Sequence, residues 1–476
     1  MSEALTIASI RRWLGNPIVR TILNKSTKRG KDGKPIIECA LEHSVFGTKC
    51  SLTCSFYSWF INVLIKRSAE IFGVDTKEVL EALKQPFFRR GIRNTLEGIA
   101  EFGVQTPQTT AAPFLVVWQF TNACNLRCKH CYANATPKPK PEELTTKEAK
   151  DFIDEMAEDG VVAIAFSGGE PLMRKDFFEV ASYAKKKDFY VAVATNGTLI
   201  TPRIAKKLKR CVHYVEVSLD GVEKTHDSLR GIHGAFRRSV TGIRNCVSEE
   251  LDVGIAPTIT RYNLKEIPDL LEFAKKLKVN RFITFNFIPT GRGKSMLDKD
   301  LTPEEREKML KFLYSKLLEK NYPDVLSTSP QYSRISIKTA REDPDAPVLP
   351  THFAGKQARD ALKGKTKTLS SFIGGCGAGR LYCSIQPNGD VWQCVFLPIK
   401  VGSIRERSFK EMWMNNPVFR ELRDRSKLKG FCKVCPFRDV CGGCRARAYG
   451  YFGDIQAPDP GCIYNKKYWE EIKNTT

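Results

Sequence analysis

The sequence predicts an α/β protein: an open, parallel (β/α)6 partial TIM barrel with a helical N-terminal extension and a Cys-rich C-terminal domain. Three observations predict it. Six short apolar runs alternate with helical periods between residues 114 and 320, and alternating strand and helix makes a parallel sheet. Residues 1–110 read as mostly helical. Residues 373–476 are rich in Cys and Gly.

The candidate strands are 114–120, 163–167, 190–194, 214–218, 253–260 and 281–287, with helical periods between them, for example over 146–159 and 264–277. Each strand should end on a loop at the barrel face where catalytic groups sit. At 476 residues the chain suggests about three domains on a prior of ~150 residues each. We divide it into a helical, basic region (1–110), the barrel (111–320), a linker or insert (321–372) broken by Asp343-Pro-Asp-Ala-Pro-Val-Leu-Pro350, and the Cys-rich domain (373–476). No apolar run reaches the ~18–20 residues needed to span a bilayer.

Sixteen cysteines without a secretory signal point to metal binding in a reducing compartment rather than to disulfides. The expected location is cytoplasmic, with an oxygen-sensitive protein that works anaerobically. The net charge of +23 favours an anionic partner, such as nucleic acid, a lipid surface or an acidic substrate; a solvated Lys-rich surface explains it equally.

Chemistry concentrates in a few motifs. Cys124-Asn-Leu-Arg-Cys128-Lys-His-Cys131 follows the first strand, and Tyr132 follows the last Cys. Three thiolates can hold three irons of a [4Fe–4S] cluster and leave the fourth open; a zinc knuckle is the alternative. Ser167-Gly-Gly-Glu-Pro171 ends the second strand: Gly168 and Gly169 allow close backbone approach, Pro171 fixes the turn, and Glu170 offers an acceptor to an ammonium group. Thr195-Asn196-Gly197 and Ser218-Leu-Asp220-Gly221 end the third and fourth strands; ordinary turn chemistry is their plainer reading. The C-terminal domain holds Cys376, Cys383, Cys394, Cys432, Cys435, Cys441, Cys444 and Cys462, enough thiolates for two fully ligated iron–sulfur clusters or two zinc sites.

These motifs resemble the radical S-adenosylmethionine (SAM) superfamily over about residues 114–290, and its C-terminal SPASM extension over 373–465. The resemblance implies a SAM-binding [4Fe–4S] cluster on Cys124, Cys128 and Cys131. It implies SAM contacts from Gly168, Gly169, Glu170, Pro171, Asn196, Ser218 and Asp220, and a SAM carboxylate partner among Arg230, Arg237 and Arg238. Carried over, the SPASM pattern assigns Cys376, Cys383, Cys394 and Cys444 to auxiliary cluster I and Cys432, Cys435, Cys441 and Cys462 to cluster II. The family more often has three residues between the last pair of the central motif, where this chain has two. The expected reaction is reductive cleavage of SAM to a 5′-deoxyadenosyl radical that abstracts hydrogen from an unactivated C–H bond, with a low-potential ferredoxin or flavodoxin as electron donor. No nucleic-acid partner is expected, because a nucleic-acid scaffold needs neither Gly168–Pro171 nor an open iron.

Sulfatase-maturing members carry an Asp after the third Cys of the auxiliary set; here it is Val395, which argues against that activity. The N-terminal region suggests a substrate instead. Eight Lys and Arg residues lie within residues 1–35, and Phe56-Tyr-Ser-Trp-Phe-Ile-Asn-Val-Leu-Ile65 precedes Lys66-Arg67. A short aromatic helix with basic flanks can lie on a membrane; a buried domain helix is the alternative. The leading expectation is therefore a long-chain membrane lipid, as in archaeal members that cross-link isoprenoid chains. Peptide modification and tetrapyrrole side-chain trimming are the alternatives. Cys39, His43, Cys50 and Cys54 are a possible extra zinc or iron set. Cys211 and Cys246 fit no pattern and read as buried thiols.

Overall fold

The computed structural model describes residues 3–30, 33–48, 51–319, 321–343, 345–349 and 367–475. The N-terminal part forms six helices among these residues: α1 (Glu3–Leu14), α2 (Pro17–Ser26), α3 (Ile36–Phe46), α4 (Leu52–Phe72), α5 (Thr76–Ala82) and α6 (Pro86–Phe102). Local chemistry sets their ends. Asn16 caps α2 ahead of Pro17 and Ser51 caps α4, while Gly47 and Gly73, both at positive φ, close α3 and α4; these are the expected cap residues. The helices share a core that includes Ile10, Leu23, Leu41, Ile61, Leu64, Leu83 and Ile99.

This packing bears on the aromatic run 56–65. Tyr57, Phe60, Ile61, Leu64 and Ile65 face the bundle core, while Phe56 and Trp59 stay exposed. The run is thus chiefly a domain helix. No helix of the described residues is long and apolar enough to cross a membrane.

The barrel strands are β1 (Leu115–Thr121), β2 (Ala163–Gly168), β3 (Tyr190–Thr195), β4 (Tyr214–Ser218), β5 (Asp252–Ala256), β6 (Thr258–Ile259) and β7 (Arg281–Asn286). They pair in parallel in the order β1-β2-β3-β4-β5-β7, with β6 beside β7. The run expected as one strand over 253–260 is divided at Pro257, which has no N–H to donate. The helix over 146–159 forms with those bounds as α7 (Thr146–Asp159), begun by a Thr145/Glu148 capping box and ended at Gly160.

The expected linker 321–372 is corrected by the structure. Its first part supplies a further strand, β8 (Asp324–Ser327), parallel to β7, and a helix, Gln331–Glu342. Four fully buried residues carry no alternation, so periodicity could not reveal this strand.

The C-terminal domain adds β9 (Tyr382–Ile385), β10 (Asp390–Cys394) and β11 (Leu397–Ser403) to the same sheet. β9 pairs in parallel with β1, matching Leu115 to Tyr382 and Trp118 to Ile385. β10 and β11 follow antiparallel, through a turn at Gly389. The sheet remains open.

Its two faces differ. Val116, Trp118, Phe120, Ile164, Phe166, Val191, Val193, Val215 and Val217 fill the helix-covered core. The alternate positions Val117, Ala165, Ala192, Ala194, Glu216 and Ser218 are only half-buried, leaving a concave face lined mostly by small side chains. Trp118 is fully buried, stacked on Phe166 at 5.7 Å and edge-on to Phe120 and Phe152. Trp118→Ala should destabilise the protein by about 3–5 kcal/mol, read as a lower midpoint in anaerobic chemical unfolding.

Candidate cofactor site

The loop bearing Cys124, Cys128 and Cys131 leaves the end of β1 and is closed at its base by Cys124 N–H to Thr136 O (2.7 Å) and Thr136 N–H to Asn122 O (2.9 Å). Two other segments hold it. The end of the helix Glu223–Arg230 accepts Arg127 N–H and Lys129 N–H at the carbonyls of Arg230 and Leu229. After β7, Arg292 donates to three carbonyls of the loop: its N–H to Cys131 O (2.9 Å), Nε to Cys128 O (2.8 Å) and Nη1 to Ala135 O (2.8 Å). Gly291 (φ +57°) brings that segment close; a Cβ there would lie 2.4 Å from the carbonyls of Cys131 and Tyr132. Sequence reasoning missed Arg292. The available signal was Gly291-Arg-Gly293 just beyond a predicted strand end, where barrel loops face the site.

Gly168 and Gly169 serve this loop directly. Gly169 N–H donates to Thr121 O and Glu170 N–H to Ala123 O, both at 2.7 Å. A Cβ on Gly169 would stand 2.1 Å from Ala123 O. The close approach these glycines permit is thus to the cysteine loop's own backbone. Pro171 starts a short 3-10 turn capped by Glu170. The Glu170 carboxylate is fully buried and accepts from Thr195 Oγ1 (2.8 Å), Asn196 N–H (2.8 Å) and Leu172 N–H (3.1 Å). A carboxylate has about four lone-pair sites, so one remains for an ammonium group. Asn196 Nδ2 donates to Asn125 Oδ1 at 2.8 Å, tying the third strand end to the cysteine loop. Ser218 is half-buried at the end of β4.

Asp220 lies deeper. Its carboxylate accepts from Arg230 Nε (2.6 Å) and Thr258 N–H (2.9 Å), and His130 Nε2 stands 3.7 Å away. Burial alone would raise this carboxyl; Arg230, with His130 and His226, outweighs burial and holds it at about 2. Arg230 Nη1 in turn points at Cys128 Sγ, 3.7 Å away. Burial pushes the Cys124 thiol to about 12 and raises that of Cys128, where Arg230 acts in the opposite direction. Of the three expected arginines, only Arg230 reaches this site: Arg237 pairs with Glu223, and Arg238 bonds Gly234 O on the surface.

Tyr132 donates to or accepts from Ser167 Oγ at 2.7 Å, and its ring meets Phe396 of the C-terminal domain at 4.9 Å. That contact joins the first cysteine loop to the second cysteine group. There, Cys376, Cys394 and Cys444 share one apolar cluster with Tyr132 and Tyr382. Cys432, Cys435, Cys441 and Cys462 are outside that apolar cluster, though Cys441 O accepts Cys376 N–H at 3.1 Å; Asn465 Nδ2 donates to Cys432 Sγ at 3.3 Å, and Gly443 N–H to Cys441 Sγ at 3.4 Å. The Cys383 side chain sits in the helix-covered core, on the face of β9 opposite Tyr382.

Residues 118–274 match the radical SAM superfamily, and residues 376–436 match the SPASM iron–sulfur cluster-binding domain. Over 357 residues the chain is 39% identical to the AdoMet-dependent heme synthase of Methanosarcina barkeri, covering 75% of this chain and 97% of that one. The chain belongs to the radical SAM superfamily. It is also 32% identical over 360 residues to the mycofactocin maturase MftC of Mycolicibacterium smegmatis, covering 74% of this chain and 83% of that one. Among solved structures, Streptococcus suis SuiB bound to S-adenosylmethionine shares the fold with a TM-score of 0.63 at 16% identity, over 90% of this chain and 92% of that one.

A radical SAM enzyme uses SAM and a [4Fe–4S] cluster, and a SPASM domain holds auxiliary iron–sulfur clusters. The donor set fits them. Cys124, Cys128 and Cys131 would hold the SAM cluster, and the buried cation of Arg230 would offset the negative charge that thiolate ligands bring. Among the described residues, no three His, Cys, Asp or Glu side chains converge to chelate a single metal ion. A cluster of several irons, whose ligands bind different atoms, draws its thiols from farther apart. Of the N-terminal set, Cys39 and half-buried His43 lie on α3, His43 Nδ1 is 2.5 Å from Thr48 O, and Cys54 is buried in α4, while Cys50 lies outside the described residues. Cys211 and Cys246 are buried thiols.

Two outcomes are expected. Arg292→Ala should loosen the cysteine loop and weaken iron retention on the order of 10–100-fold, as for other groups that orient metal ligands, read by iron loss to a chelator. Burial on the concave face raises the Glu216 carboxyl from the ordinary 4.5 to about 7, with Arg281 acting the other way. The stability it contributes is therefore complete below about 4.5 and lost as pH rises through about 7. The anaerobic melting temperature should fall across that window, and Glu216→Gln should flatten that part of the profile.

Proposed function

We propose that this radical SAM enzyme trims the carboxylate side chains of a tetrapyrrole. The observation that carries the reading is the 39% identity to a heme synthase over nearly its whole length. The basic chain, with a net charge of +23, suits a polyanionic substrate such as a porphyrin with several propionate arms. Val395 after Cys394 fits a reaction other than sulfatase maturation. The membrane-lipid substrate expected from the N-terminus loses its basis, because the aromatic run packs chiefly inward and the relatives are named for heme and mycofactocin chemistry.

When bound, SAM and its cluster supply a 5′-deoxyadenosyl radical that takes one hydrogen atom from an unactivated C–H bond, while the auxiliary clusters supply one-electron redox capacity. The residues of this chain set the geometry. Glu170 would receive the SAM ammonium. Asp220 and Arg230 hold the floor beneath Cys128. The small side chains of β2 and β3 leave room on the concave face. A propionate arm that gives up one hydrogen atom, CO2 and one electron becomes a vinyl group. A low-potential ferredoxin or flavodoxin is the proposed reductant. Peptide modification is the second reading, favoured by the likeness to mycofactocin maturase.

The test is anaerobic turnover of reduced protein with SAM and an iron porphyrin bearing propionate arms. Porphyrin should stimulate 5′-deoxyadenosine formation and yield a product lighter by CO2 and two hydrogens per arm. Cys128→Ala should bring both to background. Porphyrin that neither stimulates cleavage nor changes mass would sink the tetrapyrrole reading.

A further inference from the structure

We propose that the Glu216 carboxyl and the Tyr214 hydroxyl, side by side on the concave face of the barrel, bind one carboxylate arm of the substrate, both acting as hydrogen-bond donors. The inference rests on the tetrapyrrole reading and deepens it, because it names the groups that hold an arm inside the barrel.

Register places both groups. Val215 and Val217 are fully buried beneath the helices, so Tyr214, Glu216 and Ser218 alternate onto the other face of β4. Ser218 ends the strand, and Glu216 lies one inward position below it. The residues paired with Glu216 across the two ladders are Ala194 on β3 and Gly254 on β5. Neither has a side chain large enough to fill the space beside the carboxyl. The Tyr214 hydroxyl enters that space: a Cβ on Gly254 would stand 1.9 Å from Tyr214 Oη. The bare backbone of Gly254 thus lets the phenol rise to the level of Glu216. Arg281 holds the ring from the next strand, lying over it at 4.4 Å while donating to Asp252 Oδ2 at 2.7 Å.

The protein satisfies neither group. Tyr214 Oη is buried with no hydrogen-bond partner among the described residues, an arrangement that is costly unless a ligand supplies the partner. Glu216 likewise makes no hydrogen bond among those residues; burial and the opposing charge of Arg281 are what act on it. Burial keeps its proton on up to about pH 7, so a carboxyl and a phenol offer two O–H donors at one place. Two donors suit the two oxygens of a carboxylate, and hydrogen bonds to an ionised acceptor are the strong class. The charge of Glu216 acts on Tyr132 of the cysteine loop, so the pair is within electrostatic reach of the cofactor end of the barrel. The other groups around it do not titrate near neutrality. Burial raises the Tyr132 hydroxyl to about 12 and raises those of Tyr190 and Tyr214 as well, while Arg281, paired with Asp252, is shifted upward and stays a cation.

The test is an anaerobic optical titration of the full chain, reconstituted and loaded with SAM but not reduced, with an iron porphyrin bearing propionate arms. Glu216→Ala should raise the Kd about 10–100-fold, the effect of losing a hydrogen bond to a charged group, and Tyr214→Phe should raise it in the same direction. Glu216→Gln, whose amide still donates, should bind as the wild type does at low pH. Wild-type binding should weaken as pH rises through about 7, where Glu216 turns from a donor into a repelling anion, while Glu216→Gln binding stays flat. An iron porphyrin with ethyl groups in place of the propionates should not distinguish the wild type from the variants. If Glu216→Ala fails to fold, the pH comparison of the wild type with Glu216→Gln decides. Unchanged affinity in the folded variants, or a wild-type pH profile that matches that of Glu216→Gln, would overturn the inference and leave the tetrapyrrole reading standing. A wild type that does not bind the porphyrin would remove that reading and the inference with it.

Discussion

The parallel pairing of β9 with β1 is the constraint on which the functional part of the molecule depends. β1 is hydrogen-bonded on both sides, to β2 and to β9, and its end launches the first cysteine loop. The same ladder that positions this loop therefore positions the C-terminal cysteines. Because the register matches Leu115 to Tyr382, Tyr382 and Cys394 come to the concave side and Cys383 goes to the helix-covered core. A single backbone registration thus decides both the distance between two redox sites and which side chains of β9 share a face.

Glycines and buried charges complete the assembly. Gly169 and Gly291 let two loops press on the cysteine loop's backbone where a Cβ would collide. Under it, Arg230 places a cation at Cys128 and Asp220 compensates that cation. The domain junction uses the same device on a larger scale. Arg447 of the C-terminal helix Arg445–Phe452 reaches Asn286 at the end of β7, with Asp300 and Asp459 at 3.7 and 3.6 Å, and Arg306 pairs with Asp300 at 2.6 Å. Two guanidinium groups and two carboxylates nearly cancel. Such buried pairs add little net stability but are strongly penalised when one partner is removed. They consequently specify how the domains dock.

Much of this was legible in the sequence, and the legible part has a common cause. Strands and the 146–159 helix depend on residues a few positions apart. Cysteine spacing likewise exposes a cluster loop, because its ligands come from one short segment. What was missed or left open depended on distant partners. β8 is four buried residues whose strand character comes from β7. The aromatic run 56–65 is amphipathic in isolation, and only the bundle shows which side is covered. Arg292 lies 161 positions from Cys131 and gains meaning from three carbonyls it meets in space.

The sequence by itself determined the superfamily, the cysteine loop after the first strand and the second, C-terminal group of cysteines, because these are properties of residue type and local spacing. Only the tertiary structure decided which auxiliary cysteines share a face, which arginine reaches the cluster loop and what the two glycines accommodate. Those follow from sheet register and from long-range hydrogen bonds, where a shift of one residue reverses the direction of every side chain on a strand.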